Sequence, residues 1–65
     1  MCLSTVYKNS FTPDAIVMRN VMSIECRDGM VIFTDLMERT YAIEGEIQKA
    51  NLVEGFVIVK EKVSA

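Results

Sequence analysis

The residue with the most distinctive chemistry is Cys2, which follows Met1 and lies next to the chain's α-amine. With Met1 retained, the Met1 amine, the Cys2 amide nitrogen and the Cys2 thiolate close two consecutive five-membered chelate rings around one ion. Nitrogen donors in a square plane suit Ni(II) or Cu(II), whereas a soft thiolate also suits Cu(I), zinc or iron–sulfur. Met1 and Cys2 are therefore the candidate metal ligands. Because binding requires the thiolate, affinity should rise with pH.

A single N-terminus supplies at most three of these donors, so a closed site needs a fourth ligand. Water, another side chain or a second copy of the chain could provide it. Because a two-fold axis duplicates every donor, two Cys2 residues brought together in a homodimer would complete the site. The alternative is that Cys2 simply packs as a small apolar residue, which is common for free cysteine.

Composition argues against several classes of function. The chain has no histidine, which excludes Ser-His-Asp and Cys-His catalysis and every histidine-based metal site. It also lacks a glycine-rich phosphate loop and paired carboxylates in an apolar setting, so we do not expect an enzyme. Seven basic residues against nine acidic residues give a net charge of −2, which does not favour nucleic-acid binding.

Length and hydropathy favour one small domain. At 65 residues, the chain is expected to form a single β-barrel domain over residues 1–65. It has no apolar run of membrane-spanning length and no basic segment followed by an apolar stretch at the N-terminus, so we expect a cytoplasmic protein. Cys2 and Cys26 are expected to stay reduced, and Cys26 is expected to lie in the core.

The apolar residues alternate in short runs, which predicts β-strands. Strands are expected over residues 2–8, 21–27, 30–34, 40–43, 46–53 and 56–61. Arg19 and Asn20 interrupt the apolar residues before the second strand. Because the run over 30–34 is continuously apolar, both of its faces are expected to be covered, for example by a dimer partner.

Turn signals separate these runs at intervals of about eight to twelve residues. Asp28-Gly29 predicts a tight hairpin, since a type I′ turn needs positive φ at both central positions. Glu44-Gly45 and Glu54-Gly55 are expected to turn the chain again. Phe11, in the loop over residues 9–14, is expected to plug one barrel end, and the alternative is an exposed contact. A helix over residues 36–50 is the competing prediction.

These patterns together predict an all-β fold: a small SH3-like β-barrel of about five to six antiparallel strands. Closing short strands into a barrel removes unpaired edges that would otherwise be open to aggregation.

Three segments resemble the CooT family of small nickel-binding proteins: the opening MC…VY, NVMSIECRDGMVIFTDLMER and GEIQKANLVEGFVIV. The resemblance covers nearly the whole chain. It implies an SH3-like barrel and Ni(II) binding in the maturation of carbon monoxide dehydrogenase. The cysteine after the initiator methionine, here Cys2, would be the essential ligand. The expected partners are nickel, and carbon monoxide dehydrogenase or its maturation proteins. The family pattern also leads us to expect a glycine near residues 36–38, where this chain has none.

Two further functions stay open. Small barrels bind oligonucleotides through aromatic and basic side chains, and here Tyr7, Phe11, Tyr41 and the scattered lysines are the candidates. Alternatively, the barrel is a protein-interaction module whose surface is formed by flexible methionines. The candidates for that surface are Met18, Met22, Met30 and Met37, and the favoured alternative is that most of them fill the core.

Overall fold

A computed structural model describes residues 3–63 of the chain. It contains five β-strands and one short 3-10 turn, Pro13–Ala15. The strands are β1 (Ser4–Lys8), β2 (Ile16–Arg27), β3 (Met30–Asp35), β4 (Thr40–Asn51) and β5 (Phe56–Glu61). The all-β prediction is confirmed. The helix considered for residues 36–50 is wrong, since most of that stretch belongs to β4.

The strands form one closed ring in chain order, with β1 pairing with both β2 and β5. Consecutive strands run antiparallel, but β1 and β5 run parallel. The predicted antiparallel barrel is confirmed, with four antiparallel strand pairs and a parallel pair where the ring closes. The reason is geometric: five strands that alternate in direction put the first and the last in the same direction, so an odd-numbered ring must close with a parallel pair.

The core is a single cluster of seven apolar side chains. Its members are Val6, Val21, Val31, Phe33, Ile43, Val57 and Val59, all at most 3% exposed. Burial alternates along β3 and β5, as expected where one face of a strand points into the barrel. Within one copy of the chain, the two faces of β3 differ: Val31 and Phe33 are buried, while Met30 and Ile32 are half-buried.

Two of the three predicted glycine turns are confirmed. Asp28 and Gly29 have φ values of 51° and 76° at the β2–β3 hairpin. Gly55 has a φ of 76° in the turn between β4 and β5. Both glycines adopt a backbone conformation that is costly for residues with a Cβ atom.

The predicted turn at Glu44-Gly45 is wrong, because β4 runs through both residues without interruption. Gly45 is needed there for a close approach between strands. A Cβ atom on Gly45 would overlap the carbonyl oxygen of Lys60 and lie 3.0 Å from the Cα of Glu61. The glycine thus lets β4 pass tightly against the end of β5.

The predicted break at Arg19 and Asn20 is a bulge inside β2. Ser4 pairs with Val21 and Val6 pairs with Met18, so β2 has one more residue than β1 across this interval. Asn20 has a φ of 57°, a conformation that asparagine tolerates better than most residues. The bulge bends β2, which pairs with β1 over its first half and with β3 over its second half.

Candidate functional site

The two predicted metal ligands, Met1 and Cys2, lie outside the described residues. The described chain begins at Leu3, directly before β1. The start of β1 is held on both sides: Ser4 pairs with Val21 of β2, and the Thr5 amide donates to the carbonyl oxygen of Gly55 at 2.9 Å. The metal-binding prediction therefore concerns residues that precede a strand anchored in the barrel.

The turn between β4 and β5 packs against the start of the described chain. A Cβ atom on Gly55 would lie 3.2 Å from the carbonyl oxygen of Leu3. The turn is closed by the Gly55 amide, which donates to the Asn51 carbonyl oxygen at 2.9 Å, and by the Glu54 amide, which donates to Asn51 Oδ1 at 2.8 Å. Hydrogen bonds therefore fix the surroundings of Leu3.

Apolar side chains are exposed at this end of the barrel. A shallow groove here is lined by Ser4, Val21, Met22, Ser23, Ile24 and Leu52. Leu52 is 77% exposed and the adjacent Val53 is 97% exposed. Exposed apolar residues that cluster beside a groove are typical of contact surfaces. We call Met22, Leu52 and Val53 the N-terminal apolar patch.

The prediction that Cys26 lies in the core is wrong, because its side chain is exposed. Cys26 pairs with the buried Val31. However, β1 begins only at Ser4, opposite Val21, so within residues 3–63 no strand covers the other side of Cys26. Over the same range, no three His, Cys, Asp or Glu residues are grouped so that they could hold a metal ion.

The aromatic residues Tyr7, Phe11 and Phe56 form a cluster on the outside of the barrel. The Phe11 ring centroid lies 4.7 Å from that of Tyr7 and 4.4 Å from that of Phe56. Lys49 Nζ lies 5.8 Å from the Phe56 centroid. Because Phe11 is 56% exposed, the prediction that it plugs a barrel end is wrong. Of the three aromatic candidates for RNA binding, the fold brings Tyr7 and Phe11 together, whereas Tyr41 lines a different cleft.

The predicted methionine surface is only partly present. Met22 is 43% and Met37 is 73% exposed. Met18 and Met30 are half-buried, and Met18 packs against the core. The four methionines thus do not form one contact surface.

Asp35 was not among the residues predicted to matter, yet it is a buried carboxylate that organises the β3–β4 turn. Its Oδ1 accepts hydrogen bonds from the amides of Met37 and Arg39, both at 2.9 Å, and its Oδ2 accepts one from Arg39 Nε at 2.9 Å. Burial raises the pKa of Asp35, but these hydrogen bonds and the Arg39 charge outweigh it and hold the pKa below its usual value. The sequence does contain a signal for this role: an aspartate at the end of an apolar strand, four residues before an arginine.

The same turn explains how the chain manages without a glycine near residues 36–38. Glu38 has a φ of 63°, a left-handed conformation in which glycine costs least. Its amide donates to the Asp35 carbonyl oxygen at 3.0 Å, and the Leu36 amide donates to the Asn20 carbonyl oxygen at 2.9 Å. Hydrogen bonds around Asp35 thus hold a turn that its residue types alone do not favour.

Comparison with known proteins gives one family. The family model described as "CO dehydrogenase accessory protein CooT" matches residues 1–60. No curated protein matches the chain. Within residues 3–63, the structure has no helix of the length and hydrophobicity needed to span a bilayer.

Proposed function

The chain belongs to the CooT family of CO dehydrogenase accessory proteins, and we propose that in this role it binds Ni(II) through the Cys2 thiolate. The ion is cargo, carried for insertion into carbon monoxide dehydrogenase. The single observation that carries the proposal is the family match, which runs from residue 1 and so includes both Met1 and Cys2. The enzyme, or a protein that matures it, is then the partner that receives the nickel.

The donor atoms at the N-terminus suit this cargo. The Met1 amine, the Cys2 amide and the Cys2 thiolate offer two nitrogens and one sulfur in consecutive five-membered rings. Ni(II) accepts a square plane of such donors. A metal carrier must also release its ion, and donors at a chain end leave the ion accessible to an incoming ligand.

The fold supports a donor set positioned by a rigid element. β1 follows Cys2 after one residue, and both of its neighbours hold it by backbone pairing. Sites that adjoin regular strands are held more accurately than sites within long loops. The filled barrel interior, with Phe33 and four valines less than 2% exposed, serves as the scaffold for this terminus.

A homodimer would complete the coordination. Two chains related by a two-fold axis would bring two Cys2 thiolates to one ion, so that the second thiolate supplies the fourth donor. The N-terminal apolar patch supports this arrangement, because Met22, Leu52 and Val53 expose apolar surface next to the start of β1. Burial of such surface between two copies would stabilise the dimer.

The test is a Ni(II) titration of the reduced protein, followed by absorbance and native mass spectrometry. We expect thiolate-to-nickel charge-transfer bands in the wild type and in Cys26→Ser, and their loss in Cys2→Ser. Cys26→Ser is the matched control because Cys26 is the other thiol and is exposed. Saturation at half an ion per chain indicates the shared site, and one ion per chain a complete site in each copy. Equal affinity of Cys2→Ser and the wild type would refute the proposal.

One observation favours a second candidate function, an RNA- or protein-binding barrel without metal. The Tyr7–Phe11–Phe56 cluster with Lys49 beside it is an exposed aromatic surface with an adjacent cation. Such surfaces stack bases or bind peptide side chains. A titration with mixed-sequence RNA at low salt tests the RNA version. Salt-sensitive RNA binding that is lost in Phe11→Ala would support this function, and absence of RNA binding to the wild type would refute it.

A further inference from the structure

We propose that a cleft between the first half of β2 and the β3–β4 turn binds an acidic, extended segment of a partner protein. The cleft has a volume of about 580 Å³ and is open to solvent. It is lined by residues 16–20 of β2 and by Asp35, Arg39, Thr40 and Tyr41. Three independent features of this lining point to the same kind of occupant.

The first feature is charge. The chain as a whole carries −2, yet two of its arginines, Arg19 and Arg39, line this one cleft. Among residues 3–63, the one acidic residue in the lining is Asp35, and its carboxylate already accepts three hydrogen bonds from the turn. The cleft therefore has an excess of positive charge and complements a carboxylate.

The second feature is the preset orientation of one guanidinium group. Arg39 Nε donates to Asp35 Oδ2 at 2.9 Å, while the Arg39 side chain stays 75% exposed. The contact engages Nε, which leaves the two Nη groups for a ligand. A guanidinium held in this way loses less conformational freedom when it binds a carboxylate through paired hydrogen bonds.

The third feature is a free strand edge. β2 pairs with β1 from Ile16 onward, but its pairing with β3 begins only at Val21, opposite Asp35. Within residues 3–63, the second edge of Ile16–Arg19 has no partner strand, and these residues line the cleft. An extended peptide can add to such an edge by backbone hydrogen bonds, with its side chains alternating between the two faces.

The three features together favour a peptide over a small oxyanion. Phosphate would engage the arginines but would leave the strand edge and the half-buried Ile16, Val17 and Met18 without a partner. A segment in which acidic and apolar residues alternate would use all of them. An accessory protein must contact other proteins, and this cleft would provide a contact that does not depend on the metal ligands.

The test is amide NMR of the isotope-labelled, metal-free protein titrated with a capped peptide of alternating glutamate and valine. We expect saturable shifts concentrated at residues 16–20 and 39–41, with an affinity that falls as salt is added. A peptide with glutamine in place of glutamate should bind about tenfold more weakly, since charge-assisted hydrogen bonds are lost. Inorganic phosphate is titrated in parallel.

Two matched variants make the test specific to the cleft. Arg19→Gln should weaken peptide binding about tenfold. Arg27→Gln should not, because Arg27 lies at the far end of the same strand, where it pairs with Glu25 at 2.6 Å. Cys2→Ser should bind the peptide as the wild type does, so a failure of nickel binding leaves this test intact.

Four outcomes would overturn the proposal. The first is equal affinity for the glutamate and glutamine peptides, and the second is an equal effect of Arg19→Gln and Arg27→Gln on peptide affinity. The third is binding of phosphate, but not of peptide, at residues 16–20. The fourth is a set of chemical shifts at residues 16–20 that depend on protein concentration in the absence of peptide. The last outcome would mean that a second copy of the chain occupies the edge.

Discussion

Asp35 binds Arg39 through both oxygens of its carboxylate. Oδ1 accepts a hydrogen bond from the Arg39 amide and Oδ2 accepts one from Arg39 Nε, each at 2.9 Å. The Asp35 amide in turn donates to the Arg39 carbonyl oxygen at 2.9 Å. The Asp35 side chain is 5% exposed and that of Arg39 is 75% exposed. The pair therefore connects the core end of β3 to a charged group at the surface, and it sets one wall of the cleft.

Replacing this carboxylate should loosen the β3–β4 turn. In Asp35→Asn, one oxygen becomes an NH₂ group that faces N–H donors, so at least one of the three hydrogen bonds is lost. We expect the melting temperature, followed by circular dichroism, to fall by several degrees. Asp14→Asn is the matched control, because Asp14 is exposed in the 3-10 turn and should leave the melting temperature unchanged. A drop of the same size in both variants would contradict this role of Asp35.

The stability supplied by Asp35 should depend on pH in a defined direction. Because its folded-state pKa is lowered, the carboxylate contributes fully above the pKa of an unfolded aspartate, about 3.9. The contribution is lost as the pH falls through the lower folded-state pKa. The difference in melting temperature between wild type and Asp35→Asn should therefore be constant near neutral pH and shrink below about pH 4. A difference that widens in acid would mean that the pKa is raised.

Two glycine substitutions should distinguish the free-energy cost of a steric overlap from the cost of a left-handed backbone conformation. Gly45→Ala places a methyl group against the Lys60 carbonyl oxygen and should destabilise the fold by about 1–3 kcal/mol or more. Gly29→Ala meets no atom within 4 Å and should cost only the left-handed conformation, about 1–2 kcal/mol. Urea unfolding measures both. Gly45→Ala should also weaken the contact between β4 and the end of β5, which amide exchange at Lys62 would report, because the Lys62 amide donates to the Glu44 carbonyl oxygen at 2.7 Å.

The Met1 amine should matter to nickel binding as much as the thiol does. The 65-residue chain is short enough to be synthesised with an acetylated α-amine and unmodified lysines. Removing this donor opens one chelate ring. Loss of an outer-shell partner of a metal ligand already lowers metal affinity by roughly 10–100-fold, so the loss of a direct ligand should lower the Ni(II) affinity by at least as much. Affinity of the unmodified protein should rise with pH toward the usual thiol pKa of about 8.5. Unchanged affinity after acetylation would exclude the amine as a ligand.

The sequence was sufficient wherever the physics is local. The bounds of the last strand, residues 56–61, follow from alternation alone. The turns at Gly29 and Gly55 follow from the positive φ that glycine accommodates. The order of the donor atoms at Met1 and Cys2 is also local, because the covalent structure of the chain determines it without any contribution from the fold.

The tertiary structure decided whatever depends on a second segment of chain. Gly45 is surrounded by β5, so a residue that looks like a turn is a point of close approach inside a strand. Asp35 is buried because β3 ends against the bulge of β2, and Cys26 is exposed because β1 begins too late to cover it. Arg19 and Arg39 are twenty residues apart in the sequence and meet at one cleft because β3 ends its pairing with β2 at Val21. Sequence patterns report which residues prefer a strand or a turn, whereas strand register determines which of them become neighbours.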